Sequence, residues 1–468
     1  MFAAFLAACS SGPVPEGGGG GSNGPAAGSG GGVAAGPAGV DPALAGRAKT
    51  LCERALADNE AIEILKSLVA AAPKRLSGSK GAADAVQWGL RTMRDLGLSN
   101  VRAEPCTVNH WERGEETASV VSPEPMPLAV TALGGSVPTP QGGITAELVE
   151  VRSFEQLRAL GDAARGKIVL FNRPMPRILA RTGMAYGAAV PQRTNGAVEA
   201  AKAGAVAALV RSMTTTIDEH PHTGMMSYDA SVPKVPAAAV STRDAEALSS
   251  MLERGPVRVN LRLGCRTLEP VESANVIGEI EGTEHPEKIV VIGGHLDAWD
   301  LGEGAHDDGA GIAHVLEAAR LLLACGVRPK ATIRVVLFMN EENGLSGGKA
   351  YEAAHGGEPH IAAIETDSGG FAPRGFSCSL PAERANDWKA RFAPLDAYDI
   401  GAFLTGGGGG ADISPLARRG VPLLGLVVVG HRYFDYHHSA LDVIANVNER
   451  ELALGAAAVA YAASVLAE

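Results

Sequence analysis

Residues 290–311 read VVIGGHLDAWDLGEGAHDDGAG and bring together four metal-competent side chains: His295, Asp297, Asp307 and Asp308. Further along stand Glu341 and Glu342, then Asp367, then His437 and His438 within YHHSALD. Imidazole nitrogens and carboxylate oxygens are the ligands zinc accepts. Two histidines and three carboxylates, one of them bridging, give each of two ions three protein ligands. Charge favours the pair: roughly −3 from the carboxylates against +4 from two ions leaves room for a bridging hydroxide, whereas one ion with three carboxylates stays negative. Lowering the pKa of water from about 15.7 to about 7 amounts to roughly 12 kcal/mol of stabilisation of hydroxide, beyond the reach of a lone side chain.

Each of these residues alone has an ordinary explanation. An acidic pair such as Glu341 and Glu342 is commonly a solvated face, and Asp-Asp before Gly is commonly a helix cap, a role open to Asp308. The elements around them make the difference. The apolar β-branched run 289–292 predicts a buried strand of a parallel sheet. After Gly311, residues Ile312, Val315, Leu316, Ala319, Leu322 and Leu323 form one helical stripe. From residue 271 onward strand and helix patterns alternate, and each strand end carries an acid or a histidine. Parallel strands gather their C-terminal ends along one edge, so these residues can converge. The predicted fold is α/β, a mainly parallel mixed sheet with helices on both faces.

The 468 residues suit two domains, or one large domain with an insertion. Hydrophobic residues make up 46% against 20% charged, enough for large cores, and the net charge of −11 comes without any basic stripe. That excludes a nucleic-acid partner and points to a small molecule or peptide. Residues 1–40 open with MFAAFLAAC and continue as a Gly/Pro/Ser-rich tract, which resembles a lipoprotein signal with Cys9 as the lipidated residue and a tether behind it. The expected address is the cell envelope or the extracellular space, with any membrane contact made through that anchor. Cys52, Cys106, Cys265, Cys325 and Cys378 have no metal-like spacing and read as buried small hydrophobes.

Residues 41–124 and 271–468 form the expected α/β domain. Residues 125–270, strand-rich with Gly and Pro punctuation, form an insertion without a nucleophile, base and orienter. The Gly run 406–410 predicts a loop at the rim of the cleft. Within the insertion, His222 of PHTG reads as an ordinary loop histidine.

The segments GGHLDAWDLGEGAHDDGAG, FMNEENGLSGG, IETDSGG and YFDYHHSALD resemble the zinc exopeptidase family of bacterial aminopeptidases and glutamate carboxypeptidases. RLSGSK, HWERGEE, GKIVLFN, QRTNGAVEAAKAGA and PHTG extend the resemblance from about residue 45 to the end. It implies that the insertion is a protease-associated domain and that the chain hydrolyses dipeptides or short peptides with two zinc ions and metal-bound hydroxide. It also implies that Asp307 bridges the ions, with His295 and Asp367 on one and Glu342 and His438 on the other. Glu341 is then the general base and Asp297 holds the free ring nitrogen of His295, while His437, where some relatives place a tyrosine, either donates to the developing oxyanion or packs behind the ligands. A cis peptide between Asp307 and Asp308 and a homodimer are further implications. The alternatives are an aminopeptidase with the same site, a glutaminyl cyclase-type acyltransferase, or a non-catalytic receptor.

Overall fold

The computed structural model describes residues 40–468. The expected signal remnant, lipidated Cys9 and tether fall on residues 1–39, outside the described residues. The first domain is built on an eight-stranded sheet in the order Ser99–Glu112, Arg266–Ile280, Ala331–Phe338, His285–His295, His360–Glu365, Leu423–Val428, Pro373–Cys378 and Ala402–Thr405. Its middle is parallel: His285–His295 pairs with Ala331–Phe338 on one side and His360–Glu365 on the other, and Leu423–Val428 continues the set. Antiparallel strands flank this middle.

The β-branched run explains why the site strand is central. Val290 and Ile292 point into one core and Ile289 and Val291 into another, so both faces are dry and need cover. One face is covered by helices Pro42–Asp58, Glu60–Ala71, Ala310–Ala324 and Glu449–Leu466, the other by Ser346–His355 and its neighbours. Glu449–Leu466 starts where the Asn448 side chain accepts the N–H groups of Arg450 and Glu451. The helix after the site loop is buried on nearly every face rather than along one stripe, and Leu323, expected in that stripe, is turned to solvent at 38% exposure. The Gly run 406–410 folds back on the sheet edge: Gly407 bridges to Cys378, and Gly410 lies against Glu365.

A second eight-stranded sheet runs Met126–Leu128, Glu116–Ser122, Arg258–Leu263, Ile144–Val151, Ile168–Phe171, Ala207–Arg211, Ala237–Val240 and Val130–Ala132. The seam between the sheets therefore lies closer to residues 113–115 and 264–265 than to the expected 125 and 270. Two chain segments cross there side by side: Gly264 donates to the Glu115 carbonyl at 2.7 Å, and Gly114, at φ +71°, passes so close that a Cβ would lie 2.4 Å from the Gly264 oxygen. Glycine fits that approach because it has no Cβ. Cys52, Cys106, Cys265 and Cys378 are buried and Cys325 is half-buried, all as free thiols. Among the described residues no helix is long and apolar enough to cross a membrane.

Candidate active site

The site is assembled at the C-terminal ends of the central strands. His295 ends its strand with a fully buried ring. The loop that follows is fastened from three sides. Asp308 accepts the N–H of His295 and, at the start of the next helix, that of Gly311, both at 3.0 Å, which gives it the capping role open to it in sequence. Asp442 accepts the N–H groups of His306 and Asp307 at 2.6 and 3.1 Å. Fully buried Arg75 donates to the carbonyls of Leu296, Glu303 and Gly304 at 2.5–2.7 Å. The peptide between Asp307 and Asp308 is cis, as the resemblance implied.

Asp307 is thereby held with its two carboxylate oxygens facing different partners. Oδ1 lies 3.2 Å from His295 Nε2, which is itself 3.8 Å from Asp367. Oδ2 lies 3.3 Å from His438 Nε2, which is 3.1 Å from Glu342. The four other residues expected as ligands are thus gathered round this one carboxylate. His295 Nε2 and Asp307 Oδ2 are buried and have no hydrogen-bond partner, although buried polar atoms are ordinarily satisfied. Donor atoms of His295, Asp307 and Glu342, and those of Asp307, His437 and His438, lie within 4.8 Å of one another. The imidazoles of His295 and His438 are pushed well above the usual histidine range: burial opposes this, and the carboxylates of Asp307, Asp367 and Glu342 outweigh it. Histidine nitrogens and carboxylate oxygens gathered this closely fit a bound metal ion.

Glu341 and Glu342 leave the 331–338 strand on a tight turn. Burial, reinforced by the charges of Asp367, Glu342 and Asp307, pushes the Glu341 carboxyl well above the usual carboxylate range. Glu342 is pushed up to about 7, first by burial and then by Asp307. Asp297 differs in detail from the expectation. Its backbone carbonyl, not its carboxylate, meets His295 Nδ1 at 2.9 Å, while the carboxylate stands 4.0 Å away. Asp297 Oδ1 instead accepts the N–H groups of Asn340 and Glu341 at 2.7 and 3.1 Å, because the strand end curls over that turn. One residue therefore orients the first histidine with its backbone and Glu341 with its side chain.

The second sheet reaches the site as well. His437 stacks on His438 with ring centroids 3.5 Å apart and places Nε2 3.6 Å from Asp307, among Tyr186, Tyr433 and Phe434. Burial first, and His438 second, push its pKa well below the usual histidine value, which favours the uncharged ring. His222, read from sequence as an ordinary loop residue, is buried and its Nδ1 meets the His437 carbonyl at 2.7 Å. Thr223 donates its N–H to the His438 carbonyl at 2.9 Å and receives His438 Nδ1 at 3.3 Å. Arg193, not singled out in sequence, lies 3.5 Å from the same Nδ1. In the sequence this group was marked only by the PHTG turn and by the segment QRTNGAVEAAKAGA, which contains Arg193. Nothing local to it indicates contact with histidines some 215 residues away.

A hydrolytic metal centre on an α/β sheet is the class of site that this geometry describes. Residues 275–463 match the model of peptidase family M28. The chain belongs to that family and is a peptidase. It is 37% identical to carboxypeptidase Q of Bos taurus and of Homo sapiens over 415 residues, which covers 88% of this chain and 86% of each relative. Among solved structures, a peptidase M28 precursor from Shewanella amazonensis SB2B matches with a TM-score of 0.88 at 37% identity, covering 91% of this chain and 97% of that one. BSAP, a zinc aminopeptidase from Bacillus subtilis, shares the fold with a TM-score of 0.63 at 20% identity, covering 86% and 93% of the two chains.

Proposed function

We propose that the chain is a two-zinc exopeptidase, similar to carboxypeptidase Q, which hydrolyses dipeptides or short peptides at the cell envelope or outside the cell. The observation that carries the reading is Asp307, whose two oxygens face His295 and His438 at 3.2 and 3.3 Å and so can serve two ions at once. His295 and Asp367 would complete one position, Glu342 and His438 the other. Zinc, when bound, would supply the Lewis acidity that polarises a peptide carbonyl and acidifies water.

The remaining chemistry belongs to side chains. Glu341, its basicity raised by burial, takes a proton from the attacking water and delivers it to the departing amine. The Asp297 carboxylate fixes the Asn340–Glu341 backbone and so aims that base. Neutral His437 has a ring nitrogen beside the cluster and donates to the oxygen that gains charge in the transition state. Residues 116–263 act as a protease-associated domain whose PHTG turn closes the far side of the site. The test replaces Glu341 by Gln. Turnover of a dipeptide should fall by about 10³-fold or more while bound zinc stays near two per chain, as counted by plasma emission spectrometry. An active E341Q enzyme would remove Glu341 from the mechanism, and one ion per chain at saturation would remove the pair.

A further inference from the structure

The two histidines expected as metal ligands are held from different parts of the molecule. His295 ends a strand of the first sheet, and its holders belong to the same domain: the Asp308 carboxylate takes its N–H at 3.0 Å, and the Asp297 carbonyl faces its Nδ1 at 2.9 Å. His438 stands outside the strands. It follows the four-residue helix Tyr433–Tyr436 at φ +61°, in the left-handed region that a residue with a side chain enters only where its surroundings keep it there. Those surroundings come from the second domain. His222 faces the His437 carbonyl with Nδ1 at 2.7 Å, and since a carbonyl can only accept, this nitrogen carries the proton. Thr223 donates its N–H to the His438 carbonyl at 2.9 Å, and its own carbonyl faces His438 Nδ1 at 3.3 Å. Two successive residues of one domain thus satisfy two successive carbonyls of the other and hold the ring besides. Arg193 Nη1, 3.5 Å from the same ring nitrogen, is a donor and cannot take its proton.

We propose that His222 and Thr223 are positioning residues for the second metal position, the one shared by Glu342 and His438. The proposal deepens the two-zinc reading above and rests on it. With Nδ1–H turned to the Thr223 carbonyl, the free electron pair of His438 is left on Nε2, the nitrogen 3.3 Å from Asp307 and 3.1 Å from Glu342. The turn that sets this is tied into the second sheet at two strand ends. The His222 N–H goes to Ser212 Oγ, next after the strand Ala207–Arg211, at 2.9 Å, and Thr223 Oγ1 donates at 2.8 Å to the carbonyl of Ala132, which ends Val130–Ala132. Gly224, at φ +132°, brings the turn so near that a Cβ would stand 2.7 Å from His438 Nδ1. The second position is therefore completed by the docked second domain, whereas His295 and Asp367 are placed by the first domain alone.

The test reads metal binding rather than turnover. D367A leaves one ion at Glu342 and His438, E342A leaves one at His295 and Asp367, and each is combined with H222L or H222N, side chains of nearly equal size of which only Asn keeps an N–H near the place of Nδ1. Zinc dissociation constants come from competition with a chromophoric chelator. H222L should raise the constant by about 10- to 100-fold in D367A and leave it unchanged in E342A, and H222N should recover most of the loss. On the otherwise wild-type chain, one of the two constants should rise and the other hold. An unchanged constant in D367A, or an equal rise in both backgrounds as loss of packing alone would give, overturns the proposal and leaves the two-zinc reading standing. If H222L does not fold, G224A, whose methyl group forces the turn off His438, decides in the same way. A wild-type chain that saturates at one ion removes the two-zinc reading instead; a rise of that ion's constant in H222L, recovered in H222N, then supports the positioning role, and no change overturns it.

Discussion

Two eight-stranded sheets, each with a parallel middle, end in opposite chemistry. In the first, the strands finish on His295 and, two residues past Glu365, on Asp367. In the second, the strands ending at Val151, Phe171, Arg211 and Val240 run on into Arg152, Asn172, Ser212 and Ser241. Among the described residues, the clusters of histidine and carboxylate that could hold a metal ion all lie at the first edge. The second edge offers amide, hydroxyl and guanidinium groups, and what it brings to the site is Arg193 and the neutral His222. A parallel sheet supplies convergence, then, and residue type at the strand ends decides what converges.

The deepest break in that contrast is D307A. Loss of the residue that faces both histidines should remove bound zinc and lower activity by about 10⁴-fold or more, read by metal analysis and dipeptide turnover. A D307A protein that retained two ions would dissolve the distinction between the two edges. D297N should be milder. It keeps the carbonyl that orients His295 but weakens the brace on Glu341, so kcat should fall by about 10- to 100-fold with metal affinity little changed. Loss of zinc in D297N would show that its carboxylate serves the histidine after all.

The seam offers a third test. Arg113 grips Asp300 with two nitrogens and lies 5.2 and 6.0 Å from the rings of Trp111 and Trp299, tying the crossover to the catalytic loop. R113A should destabilise the fold by about 3 kcal/mol in urea unfolding. Destabilisation below about 1 kcal/mol would mean that the sheets dock without this tie.

The smallest effect lies in the first sheet's core. His314 is buried without a hydrogen-bond partner, and burial depresses its pKa to about 3 from 6.5. The fold therefore favours the neutral ring. This contribution is fully present above pH 6.5 and is lost as pH falls from there towards about 3, where the folded protein also takes up the proton. Replacing His314 with Leu should flatten the acid limb of the stability curve. An unchanged slope would assign the acid sensitivity to other groups.

Much of the first sheet and its edge was legible because the signals were local. A β-branched run, a helical stripe and an acid at a strand end are each confined to a few neighbours. Leu323 departs from the expected stripe because a helix buried on nearly every face has no single stripe to read. The seam was displaced because HWERGEE carries strand and turn residues in one run, and Gly114 acquires its meaning only against Gly264. The places of Arg193 and His222 beside the site were not legible. Both depend on the docking of one sheet on the other, across some 245 and 215 residues of chain.

Arg75 carries a consequence for the order of assembly. Its donors are taken up by carbonyls, so its charge is not spent on one acid, and Asp442, Asp297, Asp308 and Asp307 all feel it. A cation that is part of the chain is present from the moment of synthesis, whereas an ion must be found. The acidic pit thus has a resident counter-charge during folding, and the enzyme can be built first and armed afterwards, wherever its metal is met.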